Sequence, residues 1–140
     1  MSDAQRTFGS DISAGDLMES NVRTVSPELP VSSLDEFLVG EEIGGAPVVE
    51  EDGRLRGIVS KTDIVRHLTE DLGEETTEAM QGVSVADIMT EDVVTVMIDE
   101  TADKVARTMV ENRVHRVVVI DNEATIRGIL TTLDVLKLMV

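Results

Sequence analysis

The chain contains no cysteine, no tryptophan and no tyrosine. Without cysteine there is no disulfide, no thiolate metal site and no cysteine nucleophile. Phe8 and Phe37 are the only aromatic side chains. The core must therefore be aliphatic, and no aromatic platform exists on which nucleic-acid bases could stack. Lysine is scarce, with Lys61, Lys104 and Lys137 as the full set. No apolar run approaches the ~20 residues of a membrane-spanning helix. Met1 to Arg6 lack the basic start and apolar stretch of a signal peptide. No membrane association is expected, and the location expected is cytoplasmic. Two histidines leave little room for acid–base chemistry near neutral pH. No Ser/His/Asp arrangement can be assembled, so neither enzymatic activity nor a catalytic cofactor is expected.

What is present is acidity. Asp and Glu number 28 against 12 Lys and Arg, a formal net charge of −16 over 140 residues. A field of this sign repels polyanions, so no nucleic-acid partner is expected. Such a composition suits a salt-rich cytoplasm, where counterions screen the self-repulsion; an ordinary acidic bacterial or archaeal protein is the alternative. Hydrophobic residues make up 41% of the chain, enough to exclude wholesale disorder.

The sequence is a repeat. Shifted by 71 residues, it aligns with itself without a gap. Ser13 falls on Ser84, Asp16 on Asp87, Met18 on Met89, Val22 on Val93, Thr24–Val25 on Thr95–Val96, Val39 on Val110 and Val48 on Val119. Arg56–Gly57–Ile58 falls on Arg127–Gly128–Ile129, and Asp63 on Asp134. Identity in this order points to duplication. The expected organisation is a polar tail over 1–12, a first unit over 13–72, a polar linker over 73–82 and a second unit over 83–140.

Each unit reads as β-α-β-β-α. A β-rich piece opens it, Val22–Val25 or Val93–Val96. A helix follows, with Leu34, Phe37 and Leu38, or Val105, Ala106, Met109 and Val110, at helical spacing. A hairpin then runs from Ala46–Val49 through Glu51–Asp52–Gly53 into Leu55–Val59, matched by Val117–Ile120, Asp121–Asn122–Glu123 and Ile126–Leu130. A closing helix covers Lys61–Leu68 and Thr132–Met139. One such unit is too small to bury a sheet face well. Two packed face to face, with pseudo-two-fold symmetry, solve that problem. The fold class expected is α/β.

The densest chemical signal is G-x-x-[S/T]-x-x-D at each junction into the closing helix: Gly57, Ser60, Asp63 and Gly128, Thr131, Asp134. Ser60 or Thr131 as N-cap with the Asp at N3 makes a capping box. The same geometry suits a nucleotide. Free N–H groups at a helix start attract phosphate, and a carboxylate one turn on can accept two hydrogen bonds from a ribose diol. The glycine would let the backbone approach a ligand closely. Cap and nucleotide site are compatible. His67 reads as a surface residue, and Glu50–Gly53 as a solvated turn rather than a calcium loop.

The doubled unit resembles the CBS domain, and the pair resembles a Bateman module. The resemblance rests on Asp16–Leu17–Met18 and Asp87–Ile88–Met89, on Thr24 and Thr95, on Ala46–Glu50 and His115–Asp121, and on the two G-x-x-[S/T]-x-x-D segments. It covers residues 13–140 and implies tandem CBS domains acting as a stand-alone regulatory module. The implied ligands are adenosine-containing, AMP, ADP or ATP, sensed in clefts between the two motifs. S-adenosylmethionine sensing, or a structural dimerisation module with non-functional pockets, are the alternatives.

The resemblance further implies that Asp63 and Asp134 hold the ribose, and that Ser60 and Thr131 hold the phosphate. Basic residues ahead of the second strand, His115 and Arg116, are implied phosphate contacts. The first unit has Gly44–Gly45 there, and Lys61 is the substitute. The adenine slot is implied to involve Val22, Thr24 and Ala46 with Asp134, and Val93, Thr95 and Val117 with Asp63. The apolar closing helix (Val135, Leu136, Leu138, Met139, Val140), with the pairing habit of the family, implies a two-fold homodimer. The regulated partner protein is not named by any residue.

The net charge generates a direct test. The unfolding midpoint should rise as KCl goes from about 0.1 to about 2 M, because screening relieves repulsion that the compact state concentrates. A melting temperature flat across that range would remove the salt-adapted reading.

Overall fold

The computed structural model describes residues 10–71 and 82–139; most of the expected tail and linker lies outside them. The elements in chain order are α1 (Ala14–Leu17), α2 (Val31–Glu41), β1 (Gly45–Val49), β2 (Leu55–Ser60), α3 (Lys61–Asp71), α4 (Val85–Ile88), β3 (Thr95–Met97), α5 (Ala102–Asn112), β4 (Arg116–Ile120), β5 (Ile126–Thr131) and α6 (Thr132–Leu136). A 3-10 turn over Lys137–Met139 follows α6.

The hairpins and long helices fall where the sequence pattern put them. β1 pairs antiparallel with β2, and β4 with β5, each with a register shift at the same place, Val48/Val49 and Val119/Ile120. The opening strand differs between repeats. β3 pairs parallel with β4 over three residues. The matching segment of the first repeat keeps a single bridge, Val25 to Val48. The cause is one residue. Ile98 donates its N–H to the Ile120 carbonyl at 2.9 Å, whereas the aligned position is Pro27, which has no N–H to give.

The helices α2 and α5 end alike, on a non-glycine residue in left-handed conformation, Glu42 (φ 58°) and Arg113 (φ 55°). The carbonyls of Leu38 and Met109 then accept the N–H of Ile43 and Val114, each at 3.0 Å. In α2, Val31, Leu34 and Leu38 are fully buried. Each contributes ~1.5–3 kcal/mol of burial.

The short helices α1 and α4 were not expected, although their signal was present. Ser13 with Asp16, and Ser84 with Asp87, form capping boxes, the same S-x-x-D spacing already noted at Ser60 and Asp63. The N–H and hydroxyl of Ser13 hold the Asp16 carboxyl below the usual aspartate range.

The compact units are not the two sequence repeats taken whole. One is Arg23–Val93; the other joins the segment up to Val22 with Val94 onward. The opening piece of each repeat therefore packs on the sheet of the other. In the first-repeat unit, Val85 and Ala86 donate to the carbonyls of Leu29 and Pro27 at 2.8 and 2.9 Å. There Thr90 and Ile58 exchange both backbone hydrogen bonds at 2.9 Å. In the second-repeat unit, Ala14 and Gly15 donate to Glu100 and Ile98 at 2.7 and 2.9 Å, and Glu19 and Ile129 exchange bonds at 2.8 and 3.0 Å.

Each unit has its own aliphatic core. Val25, Val31, Leu34, Leu38, Val48 and Val59 centre the first. Ala14, Val96, Val105, Met109, Val119 and Leu130 centre the second. Among the described residues no helix is long and apolar enough to cross a membrane.

This exchange corrects the reading of the two motif glycines. A Cβ on Gly57 would stand 2.7 Å from the Thr90 carbonyl oxygen and 2.8 Å from the Met89 sulfur. One on Gly128 would stand 2.8 Å from the Glu19 carbonyl oxygen and collide with the Met18 sulfur. The glycines admit the exchanged segment, not a ligand. Gly57→Ala and Gly128→Ala should each lower stability by ~1–3 kcal/mol through overpacking against backbone, read as a drop in urea midpoint. A midpoint equal to that of the wild type would refute the assignment.

Candidate functional site

The strand-to-helix junctions β2–α3 and β5–α6 carry the same constellation. At the first, Asp63 Oδ2 accepts the Ser60 N–H at 2.8 Å and the Ser60 hydroxyl at 3.1 Å, while the Asp63 N–H donates to Ser60 Oγ at 3.4 Å. At the second, Asp134 Oδ2 accepts the Thr131 N–H at 2.8 Å and the hydroxyl at 3.1 Å, and the Asp134 N–H donates to Thr131 Oγ1 at 3.3 Å. The capping box expected from the sequence is present twice. Its carboxylates lie in the first turn, where the helix dipole favours negative charge.

The outer oxygen is engaged as well. Asp63 Oδ1 accepts from the Arg66 guanidinium at 3.1 Å, and Asp134 Oδ1 from the Lys137 ammonium at 3.3 Å. Sequence reading passed over both cations, although each stands three residues after its aspartate, one helical turn away. Asp63 is the buried member of the pair of aspartates, its side chain 8% exposed against 14% for Asp134.

The helix starts are less open to phosphate than expected. The Lys61 N–H donates to the Gly44 carbonyl and the Thr132 N–H to the His115 carbonyl, both at 2.9 Å. With the Asp63 and Asp134 N–H groups on their caps, two of the first three donors of each helix are used. The side chains of Ser60 and Thr131 remain half-buried at the junction, and Lys61 is exposed.

The first-repeat unit carries Thr24, Ala46, Ser60, Lys61, Asp63 and Val93; the second carries Val22, Thr95, His115, Arg116, Val117, Thr131 and Asp134. Arg116 stands opposite Thr131 in the β4–β5 register, and Gly45 opposite Ser60 in β1–β2. Thr24 and Thr95 are exposed, Val22 and Val93 half-buried. Ala46 and Val117 are fully buried within the two cores. Each is the second residue of its strand, β1 or β4. His67 is half-buried on α3 and not a surface residue.

A pocket of about 360 Å³ opens in the second-repeat unit, lined by Met109, Val110, Arg113, Val114, His115 and Thr132. Of the expected site residues only His115 touches it. Apolar side chains near its helices stand in solvent: Val110 at 77%, Leu133 at 65% and Leu136 at 57% exposure. Val39 and Val65, the residues aligned with Val110 and Leu136, are also exposed. Among the described residues no cluster of metal-ligating side chains is found.

The family model of the CBS domain matches residues 14–70 and 85–140. The inosine-5'-monophosphate dehydrogenase of Halobacterium salinarum is 34% identical over 117 residues, which are 84% of this chain and 22% of that enzyme. The chain thus spans about a fifth of the dehydrogenase, and corresponds only to its CBS part. Among solved structures, CBSX2 of Arabidopsis thaliana in complex with AMP matches with a TM-score of 0.74 and 28% identity, covering 89% of this chain and 93% of that one. The CBS domain pair of MJ0100 in complex with 5'-methylthioadenosine and S-adenosyl-L-methionine gives 0.79 and 26%, covering 91% and 94%. The CBS-domain protein ATU1752 from Agrobacterium tumefaciens gives 0.82 and 26%, covering 96% and 98%.

Proposed function

From the premise that the chain belongs to the CBS domain family, as a tandem pair, we propose that it is a non-enzymatic regulatory module binding an adenine nucleotide. In this reading Asp63 and Asp134 receive the ribose hydroxyls and act on a partner through the ligand they hold. The observation that carries it is the doubled junction, with a half-buried or buried carboxylate fixed by Ser60 or Thr131 on one oxygen and paired with the solvent-exposed Arg66 or Lys137 on the other. A cap alone needs only the inner oxygen. Support for an adenosyl ligand comes from the AMP in CBSX2 and the methylthioadenosine and S-adenosylmethionine in MJ0100.

The phosphate end is assigned to Thr131, His115 and Arg116 in the second-repeat unit, where Arg116 faces Thr131 across the register. In the first-repeat unit Ser60 and Lys61 are the available groups, and Gly45 stands where the other has Arg116. That difference favours a second reading for the first-repeat unit alone, an adenosyl ligand without phosphate of the S-adenosylmethionine kind. Thr24 and Thr95, exposed beside β1 and β4, and the half-buried Val22 and Val93 are the proposed contacts for the base.

The exposed apolar residues on α5 and α6, repeated as Val39 and Val65 on α2 and α3, are the proposed contact for a second copy. A protein of 15.2 kDa should then run near twice that mass in light scattering. A monomer at micromolar concentration would rule this surface out.

The ribose assignment is tested by titration with AMP and 2'-deoxy-AMP. A hydrogen bond to a charged group is worth ~1.5–3 kcal/mol, so the wild type should prefer AMP by roughly 10- to 150-fold. Asp134→Asn should erase most of that preference at one site and Asp63→Asn at the other, with the fold retained because the Asn amide oxygen can still accept the Thr131 or Ser60 N–H. Equal affinity for the two nucleotides would reduce both aspartates to helix caps.

A further inference from the structure

A carboxylate has about four acceptor positions on its two oxygens. In Asp63 the Ser60 N–H and hydroxyl occupy Oδ2, and Arg66 occupies Oδ1. Asp134 repeats this with Thr131 on Oδ2 and Lys137 on Oδ1. Among the described residues that leaves one open position on each aspartate, on Oδ1. A ribose diol brings two hydroxyl donors. One fits the open position; the second requires an existing bond to yield. The Ser60 and Thr131 bonds belong to the caps that start α3 and α6. The cations are the partners able to yield, because the Arg66 side chain is 55% exposed and that of Lys137 69%, so a released cation stays hydrated and loses only a modest ion-pair energy.

Resting on the ribose reading above, we propose that Arg66 and Lys137 are displaceable latches: each holds Oδ1 in the ligand-free protein and releases it when a vicinal diol binds. The latch also explains why a carboxylate as buried as Asp63 is followed one turn later by a cation. Between ligands the charge stays paired, and the oxygen pointing outward is kept in one orientation. On binding, a guanidinium or ammonium is freed one turn beyond the aspartate, in the second turn of α3 or just past α6, so occupancy of the site changes the charge displayed beside it. Arg66 and Lys137 thereby set both the affinity and the degree of 2'-hydroxyl discrimination.

Calorimetric titration of the full chain with adenosine and 2'-deoxyadenosine tests this with uncharged probes, so that attraction between the cations and a phosphate does not enter. Arg66→Met and Lys137→Met should each tighten adenosine about two- to fivefold, the factor expected from removing one ion pair whose cation is solvent-exposed. Binding of 2'-deoxyadenosine, whose 3'-hydroxyl is all that remains of the diol and fits the open position, should stay unchanged. Arg66→Lys should restore wild-type affinity, since Lys137 makes the same contact to Asp134. Should Arg66→Met fail to fold, Lys137→Met carries the test at the more exposed aspartate. Adenosine affinity unchanged or weakened in the folded variants, with wild-type discrimination intact, would overturn the latch and leave the ribose reading standing. A wild type that does not distinguish the two nucleosides would overturn both.

Discussion

Each sheet depends on a pair of backbone hydrogen bonds made to a segment from the other sequence repeat. Ile58 exchanges bonds with Thr90, and Ile129 with Glu19. These pairs cover the outer edge of β2 and β5, the strands that lead into the capped helices. An uncovered edge would present unpaired N–H and C=O groups, and a two-stranded hairpin such as β1–β2 is marginal alone. The approach is close enough that only glycine fits at positions 57 and 128. Neither compact unit can be assembled from a single repeat, which gives a reason for the duplication beyond shared burial. The segment that completes each sheet is encoded in the other half.

The same constraint positions the candidate site. Ser60 and Thr131 are the last residues of the edge-covered strands, and Asp63 and Asp134 lie one turn beyond. Fixing the strand fixes the N-cap, and the N-cap fixes Oδ2 of each aspartate through two hydrogen bonds. What remains adjustable is Oδ1 with its exposed cation. A rigid inner oxygen and an exchangeable outer one are what a reversible ligand contact requires, since preorganisation lowers the ordering cost of binding. Under the proposed ribose assignment, the inner oxygen of each aspartate would serve stability and the outer one binding.

Much of this was legible in the sequence, and what was missed has identifiable causes. The repeat, the hairpins and the long helices could be read because Leu34–Leu38 and Val105–Val110 keep helical spacing and because Gly53 marks its turn, at φ 87°. The aligned turn residue is Ala124, at φ 61°, a position that register and not residue type identifies. The capping boxes at Ser60 and Thr131 were readable from spacing alone. α1 and α4 were overlooked although Ser13–Asp16 and Ser84–Asp87 carry the same spacing, since four residues are too few for periodicity to show. The exchange of opening segments left no local mark, because Met18 and Met89 look like any core methionine until the glycine each one faces is known. That Ala46 and Val117 lie within three consecutive buried positions of β1 and of β4 was not legible from the resemblance, which names a slot and not a burial.

The two junctions share a geometry and differ in charge. Around Asp134 stand Lys137, Arg116 across the register from Thr131, and His115 at the pocket beside α5. Around Asp63 stand Arg66 and Lys61, with glycines ahead of β1. In a chain of net charge −16 every such cation is set against a repulsive background for anionic ligands. Salt shortens the reach of that background to roughly 10 Å at about 0.1 M and 3 Å at about 1 M. At high salt a bound phosphate would therefore respond mainly to the few groups that touch it, and the distant acidic surface would drop out. The locally richer second-repeat junction would then gain most over the first, so the salt expected to stabilise the acidic fold would also sharpen the difference between the two candidate sites.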